Sequence, residues 1–162
     1  MTIVISDTGP LNYLVLIESI DVLSRVFDQV IIPDSVLDEL NHERTPDAVR
    51  NWAGELPQWA VVESSVTETE ELKEASLRVD RGELSAMAVA LKKGLPILMD
   101  DRRARQAAEE LGISTFGTLA VLEIAANAGW LDFNAAAYKL REYGFYVTDA
   151  LIEEISARIR MR

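Results

Sequence analysis

Five acidic residues occupy positions at which a parallel sheet would bring them to one edge. Asp7 directly follows an apolar run near the start of the chain, and Asp100 and Asp101 follow another such run. Glu83 falls in the first turn of a predicted helix, and Glu39 falls about one turn into another. Ligands of open α/β sheets bind beyond the carboxyl ends of the strands, where the strand order reverses. We therefore expect these carboxylates to face one crevice.

Carboxylates that share a crevice repel each other when no cation is bound, and each raises the pKa of its neighbours. Magnesium and manganese relieve this repulsion, because both prefer oxygen ligands. Ions of this kind orient water and stabilise a phosphoryl transition state. The pattern therefore favours hydrolysis of phosphodiesters at a metal site.

Each acid also has a structural interpretation. Asp7 and either Asp100 or Asp101 could be helix caps. Glu83 could be a favourable charge at a helix N-terminus, and Glu39 could lie on a solvated helix face. Taken singly, each residue leaves both interpretations open, whereas the convergence of four chain segments favours a site.

The elements that must position these acids are short apolar strands that alternate with helices. Pro10 and Pro46 stand where a first helical residue is favoured, and Thr67 with Glu70 forms a capping-box pattern. Alternation of this kind predicts an α/β fold with a parallel sheet that helices cover on both faces. The predicted strands are 2–6, 29–32, 60–63, 96–99 and 113–116. The predicted helices are 10–27 with a break near Ser19, 35–42, 46–53, 68–79, 82–93, 102–111, 118–128, 132–143 and 148–160.

The length and composition predict a single domain over residues 1–162. The chain has 162 residues, of which 49% are hydrophobic, so it can bury a core of ordinary size. It contains no cysteine, which excludes disulfides, thiol nucleophiles and thiolate zinc sites. No apolar run approaches the roughly 20 residues that span a bilayer, and the N-terminus lacks the basic region of a signal peptide. We expect a cytoplasmic protein.

The charge restricts the kind of nucleic-acid protein that this could be. The formal net charge is −11, from 27 acidic and 16 basic residues, which argues against binding through long-range electrostatics. An enzyme that acts on nucleic acid remains open, because divalent cations reverse the field locally. Arg102, Arg103 and Arg105 follow the last acid and could contact substrate phosphates, although a solvated charged face is the alternative.

Four stretches that follow one another over nearly the whole chain carry a family resemblance. They read VISDTGPLNYLVLIESIDVLSRVFDQVIIPDSVLDEL, DRGELSAMAVA, LPILMDDRRAR, and GTLAVLEIAANAGWL followed by LREYGFYVTDALIEEI. In this order they resemble PIN-domain proteins, and specifically a VapC-like subgroup of toxin nucleases. The order, together with the C-terminal pattern GFYVTDAL, is more specific than any single motif.

The resemblance implies a PIN-like three-layer α/β/α fold around a central parallel sheet of four to five strands. It also implies an endoribonuclease that depends on Mg²⁺ or Mn²⁺ and has RNA as its substrate. Carried over residue by residue, the catalytic metal ligands would be Asp7, Glu39, Glu83 and Asp101. Asp100 is the alternative fourth acid.

Thr8 matches the hydroxyl residue that usually follows the first acid of the family, where it could hold a metal-bound water or a phosphate oxygen. Its alternative role is to cap the helix that is entered through Pro10. Two positions depart from the commonest pattern. Glu83 stands where aspartate is usual, and Met99 stands where threonine or serine often precedes the fourth acid.

The resemblance further implies a cognate antitoxin protein, a homodimer, and a C-terminal helical extension over about residues 118–162. A PIN nuclease outside toxin-antitoxin systems and a catalytically inactive PIN-fold interaction module are the alternatives. Two other α/β families fit poorly. A haloacid-dehalogenase-like phosphatase needs aspartate where Gly9 stands, and a receiver domain needs a late lysine that the stretch FGTLAVL lacks.

Overall fold

A five-stranded parallel sheet forms the centre of the protein in the computed structural model, which describes residues 2–64 and 70–161. The strand order is β3-β2-β1-β4-β5, and every neighbouring pair is parallel. The chain thus builds outward from β1 on one side and then returns to its other side, so the order reverses between β1 and β4. The strands are β1 Ile3–Ser6, β2 Gln29–Pro33, β3 Ala60–Glu63, β4 Ile97–Leu98 and β5 Thr115–Phe116.

Helices connect the strands and continue after the last one. Within the described residues they are α1 Thr8–Leu16, α2 Val22–Val26, α3 Asp34–Leu40, α4 Asp47–Gly54, α5 Glu70–Ala75, α6 Arg81–Lys93, α7 Arg102–Glu110, α8 Thr118–Asn127, α9 Phe133–Glu142 and α10 Asp149–Arg160. The α/β fold class and the parallel sheet predicted from the sequence are confirmed.

Several predicted boundaries were wrong. β4 and β5 are each two residues shorter than predicted, and Pro96 at the expected start of β4 has no N–H to give to the ladder. Pro10 is the third residue of α1 rather than the first, a position where the missing N–H is still tolerated. The predicted helix 68–79 ends at Ala75. Its start and the capping residue Thr67 lie outside the described residues.

The two faces of the sheet belong to two separate apolar clusters. Successive strand residues point to opposite faces, so Val4 joins one cluster while Ile5 joins the other. Helices α5, α6 and α7 cover the face of Ile5. The face of Val4 is covered by α1, α3 and the C-terminal helices. The sheet is therefore buried on both sides, and its carboxyl edge is left as the place for a polar crevice.

The C-terminal helices contribute to the same core as the sheet. Leu122 on α8, Leu140 on α9 and Ile152 on α10 are each almost fully buried in the cluster of Val4. Consequently the loop between α9 and α10 has a fixed place relative to β1. Within the part of the chain that the structure describes, no helix has the length and apolarity needed to cross a membrane.

Candidate active site

A cavity of about 530 Å³ opens where β1 and β4 end, at the reversal of the strand order. The acids that line it come from the ends of two strands, from α3 and from the start of α6. They are Asp7, Glu39, Asp80, Asp100 and Asp101. Glu83 lies close by, since its charge contributes to the raised pKa of Asp7. The structure thus brings the acids singled out from the sequence to one edge of the sheet.

Asp7 is buried but does not act as a helix cap. It occupies the N-cap position of α1, yet its side chain makes no capping hydrogen bond. Its N–H donates to the carbonyl oxygen of Leu98 at 2.9 Å, which extends the pairing of β1 with β4 and fixes the residue at the rim. Only 8% of Asp7 is exposed. The interpretation of Asp7 as a cap therefore fails, and its carboxylate is free for another role.

The environment of Asp7 opposes its ionisation. Burial is the main reason that its pKa rises from 3.8 to about 8, and the charges of Glu83, Asp80 and Glu39 raise it further. The N–H of Thr8 offsets only part of this effect. A buried carboxyl group among other carboxyl groups is a position that a cation would stabilise.

Glu39 is held from two sides. The hydroxyl of Thr8 donates to its Oε2 at 2.7 Å. Thr8 is the first residue of α1 and Asp7 occupies the N-cap position, so Thr8 is not the N-cap. On the other side, a Cβ added to Gly82 would lie 2.4 Å from Oε1 of Glu39. Residue 82 must therefore lack a side chain for Glu39 to lie where it does. The buried pair Ser35–Ser85 joins the helices that carry these residues, with its hydroxyl oxygens 2.6 Å apart.

Glu83 has a structural bond as well as its place near the cavity. Asp80 accepts the N–H of Glu83 at 2.8 Å, and Glu83 accepts the N–H of Asp80 at 2.9 Å, which makes a capping box at the start of α6. Glu83 is 8% exposed. Burial is the main cause of its raised pKa, and Asp80, Asp101 and Glu39 add to it. Sequence reasoning missed Asp80, although the pattern Asp-x-x-Glu before an apolar helix could have revealed it.

The two consecutive acids after β4 have different partners. Asp101 caps α7, because its Oδ1 accepts the N–H of Ala104 at 2.9 Å. Its Oδ2 has no hydrogen-bond partner among residues 2–64 and 70–161. Asp100 accepts two hydrogen bonds from Thr118, one from the N–H at 2.7 Å and one from the hydroxyl at 2.6 Å. Burial raises the pKa of Asp100, and these bonds, with the charge of Arg105, reduce the shift. Both oxygens of Asp100 are thus used within the protein.

A second cavity, of about 700 Å³, meets the first at Asp100. Arg102 and Arg105 line it together with Gln106 and Glu109. Arg105 donates from Nε to the hydroxyl of Thr115 at 3.1 Å, whereas Arg102 is exposed. Two of the three arginines that could contact substrate, Arg102 and Arg105, therefore lie beside the acids, and Arg102 is the more accessible of the two, whereas Arg103 does not line this cavity.

The donor set suits a hard divalent cation, although the carboxylates do not converge closely. Among residues 2–64 and 70–161, no three His, Cys, Asp or Glu side chains are close enough to hold a metal ion together. In those same residues, no Lys or Arg forms an ion pair with Asp7, Glu39 or Glu83. Burial, and after it the mutual repulsion of the carboxylates, raises the pKa of Asp7 and Glu83, and no Lys or Arg of the described residues is paired with either to offset it. Oxygen donors with unbalanced charge are the ligands that Mg²⁺ and Mn²⁺ prefer.

A family model, DUF3368, described as a PIN domain, matches residues 3–160. The chain belongs to the PIN-domain family. Proteins of this family are in general nucleases and typically use a divalent metal, so the resemblance seen in the sequence is confirmed at the level of the family. No curated protein matches the chain significantly.

The PIN domain also has three aromatic residues in the first cavity that sequence reasoning did not assign to it. Tyr13 comes from α1, and Phe145 and Tyr146 come from the loop between α9 and α10. No local pattern in the sequence marks them, because the loop reaches the cavity only through the packing of the C-terminal helices on the sheet. The loop between the C-terminal helices α9 and α10 therefore contributes to the wall of the candidate site.

The raised pKa of Asp7 predicts how stability varies with pH in metal-free buffer. Between about pH 4 and pH 8 the folded state holds a proton on Asp7 that the unfolded state has lost. The favourable contribution of protonated Asp7 to the free energy of unfolding is therefore fully present below pH 4. It is lost as pH rises towards 8, and the free energy of unfolding falls by up to about 1.4 kcal/mol per pH unit. Asp7→Asn removes this dependence, so its advantage over wild type should grow with pH and level off above pH 8.

Urea denaturation in the presence of a chelator across this pH range measures the effect. The exposed Asp38→Asn variant on α3 is the control, and its curve should run parallel to that of wild type. An Asp7→Asn curve that also runs parallel to wild type would contradict the assignment of Asp7.

Gly82→Ala should separate the position of Glu39 from the stability of this PIN domain. The new Cβ would displace the flexible end of the Glu39 side chain, so the melting temperature without metal should change little. Stabilisation by manganese should fall, by about 1.4 kcal/mol for each tenfold loss of affinity under saturating metal. Thermal melts with and without manganese measure both effects. Gly54→Ala, whose Cβ would meet nothing within 4 Å, is the control and should keep the full manganese gain. Equal gains in both variants would show that Glu39 does not hold metal.

Proposed function

We propose that this PIN domain is a metal-dependent endoribonuclease of the VapC-like subgroup, and that it is the toxin of a type II toxin-antitoxin system. The observation that carries the proposal is the environment of Asp7, a buried carboxyl group at the end of the central strand. Its side chain caps no helix, and no Lys or Arg of the described residues forms an ion pair with it. Its pKa of about 8 shows that the ionised carboxylate is unfavourable there without a neighbouring positive charge, which a bound cation would supply.

The metal ligands in this proposal are Asp7, Glu39, Glu83 and Asp101, with Mg²⁺ or Mn²⁺ as the ion. A bound ion of this kind would supply a water activated for attack on the phosphodiester and would stabilise the charge of the transition state. The free Oδ2 of Asp101 favours it over Asp100 as the fourth acid, because Thr118 occupies both oxygens of Asp100.

The protein supplies orientation through bonds that do not depend on the ion. Thr8 fixes Glu39 through its hydroxyl, and the backbone of Asp80 fixes Glu83. In this proposal Arg102 binds a phosphate of the RNA beyond the acids, which is supported by its place in the adjoining cavity, and Arg105 is held in the same cavity by its bond to Thr115.

An inactive interaction module is the second candidate, and the capping box favours it. The carboxylate of Glu83 is held by the N–H of Asp80, and within the described residues no three ligands gather at metal-binding distance. If those bonds persist in the presence of metal, the fold would bind partners without hydrolysing RNA. A manganese titration followed by thermal stability distinguishes the two candidates, since the module should gain nothing.

We expect the purified protein to cleave RNA with magnesium or manganese and to stop when a chelator removes the ion, since the ion activates the water. Metal that binds only the folded state should stabilise wild type by about 2.7 kcal/mol at a hundredfold excess over Kd. Asp7→Asn should lose most of this gain along with the cleavage, while the exposed Asp38→Asn should keep both. Cleavage that survives chelation would refute the mechanism.

The same acids support the proposal of a cognate antitoxin. Three carboxylates without a Lys or Arg partner in the described chain form a surface that an inhibitor could neutralise with its own Arg or Lys side chain. A cognate antitoxin that binds in this way should bind less tightly as salt rises, and less tightly to Asp7→Ala and Glu83→Ala, as measured by calorimetry. Equal affinity for wild type and both variants at every salt concentration would exclude this mode of inhibition. A homodimer is part of the same proposal, and sedimentation of the purified chain tests it.

A further inference from the structure

The loop between α9 and α10 places one fully solvated aromatic ring at the mouth of the candidate site. Tyr146 is 87% exposed, although both of its neighbours in the chain are packed. The ring of Phe145 meets that of Tyr13 edge to face, with centroids 5.2 Å apart, and Val147 is buried. Only the side chain of Tyr146 is therefore exposed, while the loop around it is packed against the rest of the protein.

Four hydrogen bonds fix the backbone on either side of this ring. The N–H of Phe145 donates to the carbonyl of Leu140 at 3.0 Å. Arg141 donates from Nη2 to the carbonyl of Val147 at 2.9 Å and from Nη1 to Asp149 at 2.8 Å. Thr148 then caps α10 through the N–H of Leu151 at 3.1 Å. A ring on a backbone held in this way loses little further entropy when a ligand covers it.

Tyr146 lines the cavity that contains the acids, and this distinguishes it from the other exposed tyrosines. It lines the same cavity as Asp7, Thr8 and Glu39. Tyr138 and Tyr143 are about half exposed and line none of the cavities described above. Since the phosphodiester to be cut must reach the acids, the nucleotide beside it passes the ring of Tyr146.

We infer that Tyr146 is a substrate-binding residue that stacks on an unpaired base next to the scissile phosphate. The inference rests on the ribonuclease proposed above. A base within an A-form helix is stacked on its neighbours and offers no free face, whereas a base in a loop or an end does. The ring thus selects nucleotides that are already unstacked.

The charge of the protein favours such a contact. With a net charge of −11 and an acidic cavity, the protein gains little affinity for RNA from long-range electrostatics. Stacking does not depend on the net charge and tolerates every base. The cavity also holds the rings of Tyr13 and Phe145, so the ring of Tyr146 extends an aromatic wall beside the acids.

The experiment uses short single-stranded RNA oligonucleotides that carry 2-aminopurine at successive positions, because stacking on a tyrosine ring quenches this fluorophore. Binding is measured in low-salt buffer with a chelator, so that no cleavage occurs, and KM is measured separately with manganese. Wild type should quench at one position. Tyr146→Phe keeps a ring and should behave like wild type, and Tyr143→Ala is the control for loss of an exposed tyrosine outside the cavity. Tyr146→Ala should lose the quenching and bind roughly 5- to 150-fold more weakly, the range expected for one stacked base.

An abasic nucleotide at the quenched position provides a second, independent measurement. It should weaken binding to wild type by about the same factor and should have no effect on Tyr146→Ala, because the two changes remove the same contact. If Tyr146→Ala binds and cleaves single-stranded RNA as wild type does, the inference is overturned while the proposed ribonuclease stands. If that variant keeps its RNA affinity but loses a cognate antitoxin, Tyr146 belongs to a protein interface instead. Wild type that neither binds nor cleaves RNA refutes the proposed function and this inference with it.

Discussion

The burial of the Asp7 carboxyl group at the end of the central strand is the constraint on which the rest of the site depends. Parallel pairing with β4 continues into the backbone of Asp7 and holds its side chain in a position where only 8% of the residue is exposed. The surrounding acids then add their own repulsion. A fold that places charge in this way must either hold a proton there or bind a cation, and the nuclease chemistry of the PIN family is an outcome of the second choice.

The other acids divide into those with structural bonds and those held for the cavity. Asp100 belongs to the first kind, since Thr118 donates a hydrogen bond to each of its oxygens. Asp101 combines the two, because one of its oxygens caps α7 while the residue also lines the cavity. Glu39 belongs to the second kind, because its neighbours Thr8 and Gly82 orient it without neutralising its charge. Acidic residues at one edge of the sheet therefore have different roles, and their hydrogen-bond partners distinguish these roles.

The sequence predicted the features that depend on short-range pattern. Apolar runs that alternate with helices predicted the parallel sheet, and an acid directly after a strand predicted the position of Asp7 at the carboxyl edge. The contacts of Thr8 with Glu39 and of Asp100 with Thr118 were not predicted, since each joins residues far apart in the chain. Tyr146 was missed for the same reason. Its place beside residues near the N-terminus follows from the packing of three helices, which periodicity alone does not determine.

The bond between Asp100 and Thr118 ties the first residue of α8 to the end of β4. Thr118 has no solvent exposure, and a Cβ added to the adjacent Gly117 would lie 3.2 Å from Oδ1 of Asp100. A graft of α8, α9 and α10 onto another PIN domain would leave Thr118 without this acceptor unless the recipient carried an acid at the position of Asp100, and residue 117 would have to stay small. The start of the C-terminal helices therefore depends on a single residue at the edge of the sheet.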